Sequence, residues 1–376
     1  MTPKIEKFLT DKRPPSPCLV VDVDVVEQNY KDIEIGLERA KIFYAVKANP
    51  AHAILKRLVA LGACFDAASV TEIRACLDAG ARPEAISYGN TLKKAPDVST
   101  AHQLGVDLFA FDSEGELDKL AQYAPGAKVY CRILTENGNA DWPLSRKFGC
   151  ELDMAVELMV QAREKGLVPY GISFHVGSQQ TDPKQWDIAI ERTAQVFAGL
   201  KVRGIALKMI NLGGGYPVRY RDDILAFDVF ADVIQTSMGK HFGDDAPDMM
   251  IEPGRAIVAE AGVIQAEVVL VSKKRQDTDR RWVYLDIGLF GGLAETMGEA
   301  IKYTIKTPHD GMPTGPVAIA GPTCDGADIL YEDTPYALPL GLNAGDWVRI
   351  ETAGAYTSTY ASVNFNGFAP MAEYCI

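Results

Sequence analysis

Several side chains of types that do chemistry stand where apolar runs of this sequence end. Lys47 follows the run IFYAV and precedes Ala48-Asn49-Pro50. A partly desolvated amine at such a place has a lowered pKa and can form a Schiff base with a carbonyl. A strand-end lysine with its stem along apolar surface is the plainer alternative. Gly213-Gly214-Gly215 follow KMINL. Three glycines there let backbone N–H groups approach a phosphate, or simply make a tight turn. Arg255, just past MMIEPG, offers a fork matched to phosphate, or to a carboxylate in a surface ion pair. Glu252 is a carboxylate that can hold a protonated ring nitrogen, or be the partner of Arg255. His175, in SFHVGSQ, can lie flat on an aromatic group or be a hydrogen-bonded core histidine. Asp66, Ser69, Asn90, Arg132 and Ser178 close apolar runs in the same manner.

Something must bring these ends together. Eight short β-type runs precede residue 260: 41–47 (KIFYAVK), 64–69 (CFDAAS), 85–90 (AISYGN), 108–113 (LFAFDS), 129–133 (VYCRI), 170–178 (YGISFHVGS), 208–215 (KMINLGGG) and 249–255 (MIEPGR). Helical periodicity separates them. HAILKRLVALGA places Ile54, Leu55, Leu58, Val59 and Leu61 on one face. VTEIRACLDAG starts after Ser69, an N-cap with Glu72 as its capping-box partner, and ends at Gly80. Eight strands alternating with helices over about 220 residues predict a (β/α)8 barrel, with a doubly wound sheet as the structural rival that the strand count disfavours. The polar residues fall at strand C-termini, the face on which such barrels carry their sites. After residue 260 the texture changes to strand-like runs (VIQAEVVLVSKK, RWVYLDIGL, GPVAIAG, DWVRIET) separated by turns such as Asn343-Ala344-Gly345-Asp346. Two domains are therefore expected: a barrel over 25–259 and an all-β domain over 260–376, joined by an early strand (CLVVDV) from 1–24.

Composition excludes other classes. Of 376 residues, 47% are apolar and 23% charged, enough for a full core and against global disorder. Fifty acidic residues against 38 basic ones give a net charge of −12, which argues against nucleic acid or an anionic membrane surface as the main partner. No apolar run approaches the roughly 18 residues of a membrane span, and MTPKIEKFLTDKRPPSP lacks the apolar centre of a signal peptide. Seven cysteines without CxxC spacing read as reduced thiols, which places the chain in the cytoplasm; five histidines without HExxH make a metal site unexpected.

In order along the chain, FYAVKANP, FDAAS, FHVGSQ, GGGYP, EPGR, GPTCDGAD and GAYT resemble the fold-type III pyridoxal-phosphate decarboxylases, the ornithine/diaminopimelate decarboxylase group related in fold to alanine racemase. The resemblance runs from about Pro17 to Phe368, and the length is similar to that of the short bacterial enzymes acting on ornithine or lysine. It implies an alanine racemase-like barrel with pyridoxal 5'-phosphate as cofactor and Lys47 as the Schiff-base lysine. It further implies His175 on the pyridine face, Glu252 at the pyridine nitrogen, and Ser178, Gly213, Gly214, Gly215, Gly254, Arg255 and Tyr356 around the phosphate. Asp66 and Arg132 match positions lining the cofactor. Cys324 resembles the proton donor, Asp325 the acid that reads a distal amine, and Phe365 an aromatic near the substrate; in this family such residues cross a homodimer interface.

The implied reaction is decarboxylation of L-ornithine, L-lysine or both to putrescine and cadaverine, a step of polyamine biosynthesis. Alanine racemases pair the pyridine nitrogen with Arg, whereas this position reads Glu252. Diaminopimelate decarboxylases typically read Cys-Glu-Ser where this chain has Cys324-Asp325-Gly326. Arginine decarboxylase on the same scaffold remains an alternative, and a non-catalytic, regulator-binding homologue is one of another class. DIGLFGGLAETMGEAI stands in place of an Asp-bearing stretch of eukaryotic ornithine enzymes. It offers Glu295 and Glu299, of which Glu299 is at the better register to face the substrate.

Overall fold

A computed structural model describes residues 1–135 and 147–376. The chain forms two compact units. One comprises residues 27–217 and 224–254, the other residues 1–26, 218–223 and 255–376. Strand β1 (Cys18–Val21) belongs to the second unit. The first unit is a closed barrel of eight strands among the described residues: β2 (Ala40–Ala45), β3 (Cys64–Ala67), β4 (Ile86–Tyr88), β5 (Leu108–Phe111), β6 (Lys128–Arg132), β7 (Val168–Ser173), β8 (Met209–Asn211) and β9 (Asp248–Ile251). Each strand pairs in parallel with the next, and β9 closes on β2.

These strands read as apolar runs rather than alternating ones because both of their faces are covered, by helices outside and by one another inside. Phe43, Ala110, Tyr130, Met209 and Met250 form one buried cluster of this unit. Buried Ser87 and Tyr130 satisfy each other there, oxygen to oxygen at 2.9 Å. The interior is thus a filled core, and chemistry is confined to the rim.

The helices start where their caps say. Ser69 Oγ accepts the Glu72 N–H at 3.2 Å, and Glu72 Oε2 accepts the Ala68 N–H at 2.6 Å, so helix Val70–Asp78 has its two-way cap. Gly80, at φ +100°, takes the left-handed conformation that ends it. In helix His52–Ala60, Ile54, Leu55 and Leu58 are the buried face.

The second unit is a mixed sheet in the order β12-β15-β10-β11-β13-β14, from β10 (Gly262–Ser272), β11 (Arg281–Leu285), β12 (Ile305–Lys306), β13 (Thr314–Ala320), β14 (Ile329–Pro339) and β15 (Trp347–Ile350). The early strand β1 joins this sheet on β10 and pairs in parallel with β16 (Ala372–Cys375). Helix Pro3–Lys12 packs Ile5 and Leu9 on Cys18, Val20 and Val263. The barrel was expected to run to residue 259, but Arg255–Val258 and residues 218–223 group with the sheet unit. Among the described residues no helix is long and apolar enough to cross a membrane.

Candidate active site

Every polar residue singled out on the barrel rim lies at or just past a strand end. Lys47 sits in a 3-10 turn (Val46–Ala48) directly after β2. Its side chain is 49% exposed, and Nζ stands 3.9 Å from Asp66 Oδ2. Asp66, in β3, is buried. Burial pushes its carboxyl above the usual range despite the pull of Lys47 and Arg132. Gly89 lies flush against that carboxylate: a Cβ there would meet Asp66 Oδ1. Arg132 ends β6 with its guanidinium 5.2 Å from the Phe148 ring, and Glu252, Asp112 and Asp66 are the charges that counter its burial.

Glu252 follows β9, beside the lysine-bearing strand, since the Ala45 N–H donates to the Pro253 carbonyl at 3.1 Å. Burial, reinforced by the negative charge of Asp66, pushes its carboxyl up to about 7 against the opposing pull of Asn211, Lys47 and Arg132. Asn211 fixes its orientation. The Gly213 N–H can only donate, so Asn211 Oδ1 faces it at 2.9 Å; Nδ2 is then left to donate to Glu252 Oε1 at 2.5 Å. Asn211 escaped the sequence reading, because a polar residue inside KMINL carries no spacing signal. Its only mark is being polar inside an otherwise apolar run.

His175 follows β7. Its Nδ1 accepts the Gly177 N–H at 3.0 Å, and its carbonyl accepts from Thr135 Oγ1 at 2.8 Å. Burial first, then Arg132 and Lys47, hold the ring well below the usual histidine range. The ring is therefore neutral, and with Nδ1 accepting, its proton is on Nε2. The glycine run is needed at each position. A Cβ at Gly213, Gly214 or Gly215 would meet the carbonyl oxygen of Phe174, Glu252 or Gly177 respectively, and Gly213 and Gly215 have φ of +66° and +98°. The turns after β7, β8 and β9 thus press backbone on backbone. Tyr216, next in sequence, is core: its ring stacks on Trp186 at 5.1 Å.

The remaining candidates lie in the sheet unit. Arg255 closes its fork on Glu295 (2.6 and 2.8 Å), also donates to Tyr220 Oη at 2.6 Å, and has the Tyr356 ring at 5.0 Å. Glu295 is thus the fork's partner. Glu299 is held elsewhere: Oε1 accepts the N–H groups of Glu332 and Asp333, and Oε2 that of Thr334. Burial raises its pKa, but these bonds outweigh it and leave the carboxyl below its usual range.

Cys324 and Asp325 are exposed on the single chain. Their loop is shaped by buried Asp328, which accepts from the Leu289 N–H (2.7 Å), the Thr323 N–H (3.1 Å) and Thr323 Oγ1 (2.7 Å). The Cys324 N–H donates to Asn366 Oδ1 at 3.0 Å. Phe365 is 37% exposed, its ring 5.0 Å from that of Phe290.

On the barrel rim, then, stand an amine beside a carboxylate, a buried carboxyl of raised pKa, a neutral imidazole and a turn of obligatory glycines. This donor set fits pyridoxal phosphate: the amine for its aldehyde, the carboxyl for its ring nitrogen, the imidazole for its ring face, the glycine turn for its phosphate. The class defined is a barrel enzyme built on that cofactor. Residues 23–259 match the family model of the pyridoxal-dependent decarboxylases, pyridoxal binding domain, and the chain belongs to that family. It is 34% identical over 359 residues to a lysine/ornithine decarboxylase of Selenomonas ruminantium, covering 95% of this chain and 88% of that protein. A lysine/ornithine decarboxylase from Vibrio vulnificus, solved with cadaverine, superposes with a TM-score of 0.89 at 30% identity, over 99% of this chain and 97% of that one. The arginine decarboxylase of Paramecium bursaria Chlorella virus gives 0.91 at 29% identity, over the full length of both chains.

Proposed function

We propose that this pyridoxal-phosphate enzyme removes the α-carboxylate of L-ornithine, L-lysine or both as CO2 and releases putrescine or cadaverine. The observation that carries the reading is Glu252, a buried carboxyl poised near neutral pH and held by Asn211 where a cationic side chain would instead discourage a protonated ring. When bound, the cofactor supplies an electron sink for the charge left on Cα as CO2 departs. Lys47 Nζ would hold the cofactor at its carbonyl carbon and give up that place to the substrate's α-amine. Glu252 would keep a proton on the ring nitrogen. His175, neutral, would lie against the ring without competing for that proton. Asp66 holds Lys47 in place. Gly213, Gly214, Gly215, Ser178 and Gly254 would offer the phosphate main-chain and hydroxyl donors.

Cys324 Sγ returns a proton to Cα, and Asp325 takes the distal ammonium of the substrate beside Phe365. Their exposure on one chain supports a homodimer in which this loop serves a second copy's barrel. Glu299, already engaged by three amides, would read the substrate only through an oxygen it shares with them. The cysteines are free thiols, which supports a reducing compartment, the cytoplasm.

The test is a panel of L-ornithine, L-lysine, L-arginine and meso-diaminopimelate at equal concentration, with the amines identified chromatographically. Putrescine or cadaverine as the main product supports the reading. Agmatine alone, or lysine formed from diaminopimelate alone, contradicts it.

A further inference from the structure

We propose that Lys93 is a positioning residue for the cofactor site: its ammonium group ties the turn after β4 to β5 and so holds the wall against which Asp66 lies. The inference rests on the reading that Lys47 and Asp66 face the cofactor.

The Lys93 side chain is 0% exposed. Its Nζ donates to the carbonyls of Asn90 and Ala110, both at 2.7 Å, and forms an ion pair with Glu116 Oε1 at 2.9 Å. The two carbonyls belong to different elements. Asn90 lies in the turn after β4, and Ala110 lies within β5. Glu116, from helix Glu114–Tyr123, takes the Lys93 N–H and Lys119 Nζ on its other oxygen, and Lys119 also donates to the Lys93 carbonyl. The Tyr88 ring covers the ammonium at 5.4 Å. An apolar residue of similar volume would fill this space at lower desolvation cost. It would not draw two main-chain carbonyls to one point.

From that point the site is two bonds away. Asn90 Nδ2 donates to the Ala68 carbonyl at 3.4 Å, and the Gly89 N–H donates to that of Ala67 at 3.0 Å, so the turn is fastened to the end of β3. Gly89 then backs directly on Asp66, whose other oxygen faces Lys47. Releasing Asn90 lets Gly89 retreat and Asp66 follow it. A shift of about 1 Å at a reacting group costs about 100-fold in rate.

The ammonium can also be switched off. Burial lowers Lys93 to about 8, opposed by Glu116 and Asp112; Lys119, from the same helix as Glu116, adds to the lowering, and the Tyr88 ring lies over the group. As pH rises through about 8 the group loses its charge, its ion pair with Glu116 and one of its three donors, and its grip on the two carbonyls weakens.

The experiment compares wild-type, Lys93→Met, Lys93→Arg and Lys47→Ala proteins, each loaded with pyridoxal phosphate. It reads kcat and KM per bound cofactor, the visible circular dichroism of the cofactor, and the pH profile of kcat. Lys93→Met is expected to lose about 10- to 100-fold in kcat with little change in KM, and to alter the dichroic band. Lys93→Arg, charged at every working pH, is expected to move the alkaline limb near pH 8 upward by more than one pH unit. A kcat within twofold of wild type in Lys93→Met, with an unaltered band, overturns the proposal. Should that variant not fold, a limb that stays in place in Lys93→Arg overturns it. If Lys47→Ala keeps the wild-type band and turnover, the site reading itself fails and this proposal with it. If Lys47→Ala is dead while both Lys93 variants match wild type, only the Lys93 proposal fails.

Discussion

Glu252 shows how a single side chain couples this site to the fold. An unfolded glutamate titrates near 4.5, whereas here the carboxyl is pushed up to about 7. The folded state therefore favours the neutral form. Its contribution to stability is complete below about pH 4.5 and is lost as pH rises through about 7, a change on the order of 3 kcal/mol. Cofactor-free protein should lose Tm across that interval, and Glu252→Gln should flatten the loss; an equally steep profile in the variant would contradict the assignment. Asn211→Leu leaves Glu252 without its partner and should push its pKa higher still, with cofactor binding moved to correspondingly higher pH. The places of Lys47, His175 and Glu252 just past barrel strands were legible in the sequence because each closes an apolar run inside a recognisable motif. Asn211 and Asp328 were not. Their importance is entirely in which donors they face, and spacing does not encode that.

The eight barrel strands were legible because burial on both faces leaves a continuous apolar run, and only their ends were overextended into the turns that carry the chemistry. The glycine run makes a sharp demand on those turns. Gly214→Ala places a methyl group against the Glu252 carbonyl without any left-handed backbone strain. It should cost about 1–3 kcal/mol, read as a weaker Kd for pyridoxal phosphate by titration. An unchanged Kd would remove the turn from the phosphate site. In the sheet unit, β14 went unread. Its ladder to β13 runs from Tyr336 opposite Val317 to Tyr331 opposite Ile319, so residues 332–335 bulge out and carry Pro335 and two acids where a strand signal would be sought. Glu299 accepts three of the N–H groups that the bulge frees. Glu299→Ala should therefore lower thermal stability, by about 1 kcal/mol because these amides are partly exposed and can turn to water. Strands β12 and β16, of two and four residues, were missed for a different reason: segments of so few residues carry too little periodicity to stand out.

At the scale of the whole molecule, the sequence showed two units and an early strand that returns to the later one. The exact division was hidden, because residues 218–223 and 255–258 leave the barrel's run of sequence to pack with the sheet. The proposed division of labour between copies has a direct consequence. Lys47→Ala and Cys324→Ala chains, each poor alone, should recover about a quarter of wild-type activity when mixed and allowed to exchange, since half the dimers are then mixed and each holds one intact site. Confirmed mixed dimers without recovery would refute the shared site. Cys324→Ala alone should still bind the cofactor but release less amine per CO2, as protonation at Cα loses its control.

The central claim is that Lys47 and the rim around it make this chain a decarboxylase of basic amino acids. The most direct measurement is CO2 release from carboxyl-labelled L-ornithine and L-lysine by the purified protein with added pyridoxal phosphate, with Lys47→Ala as the blank. The account predicts sustained release from at least one of the two and none above background in the blank. No release from either substrate by protein that has bound the cofactor, or equal release by Lys47→Ala, would contradict it.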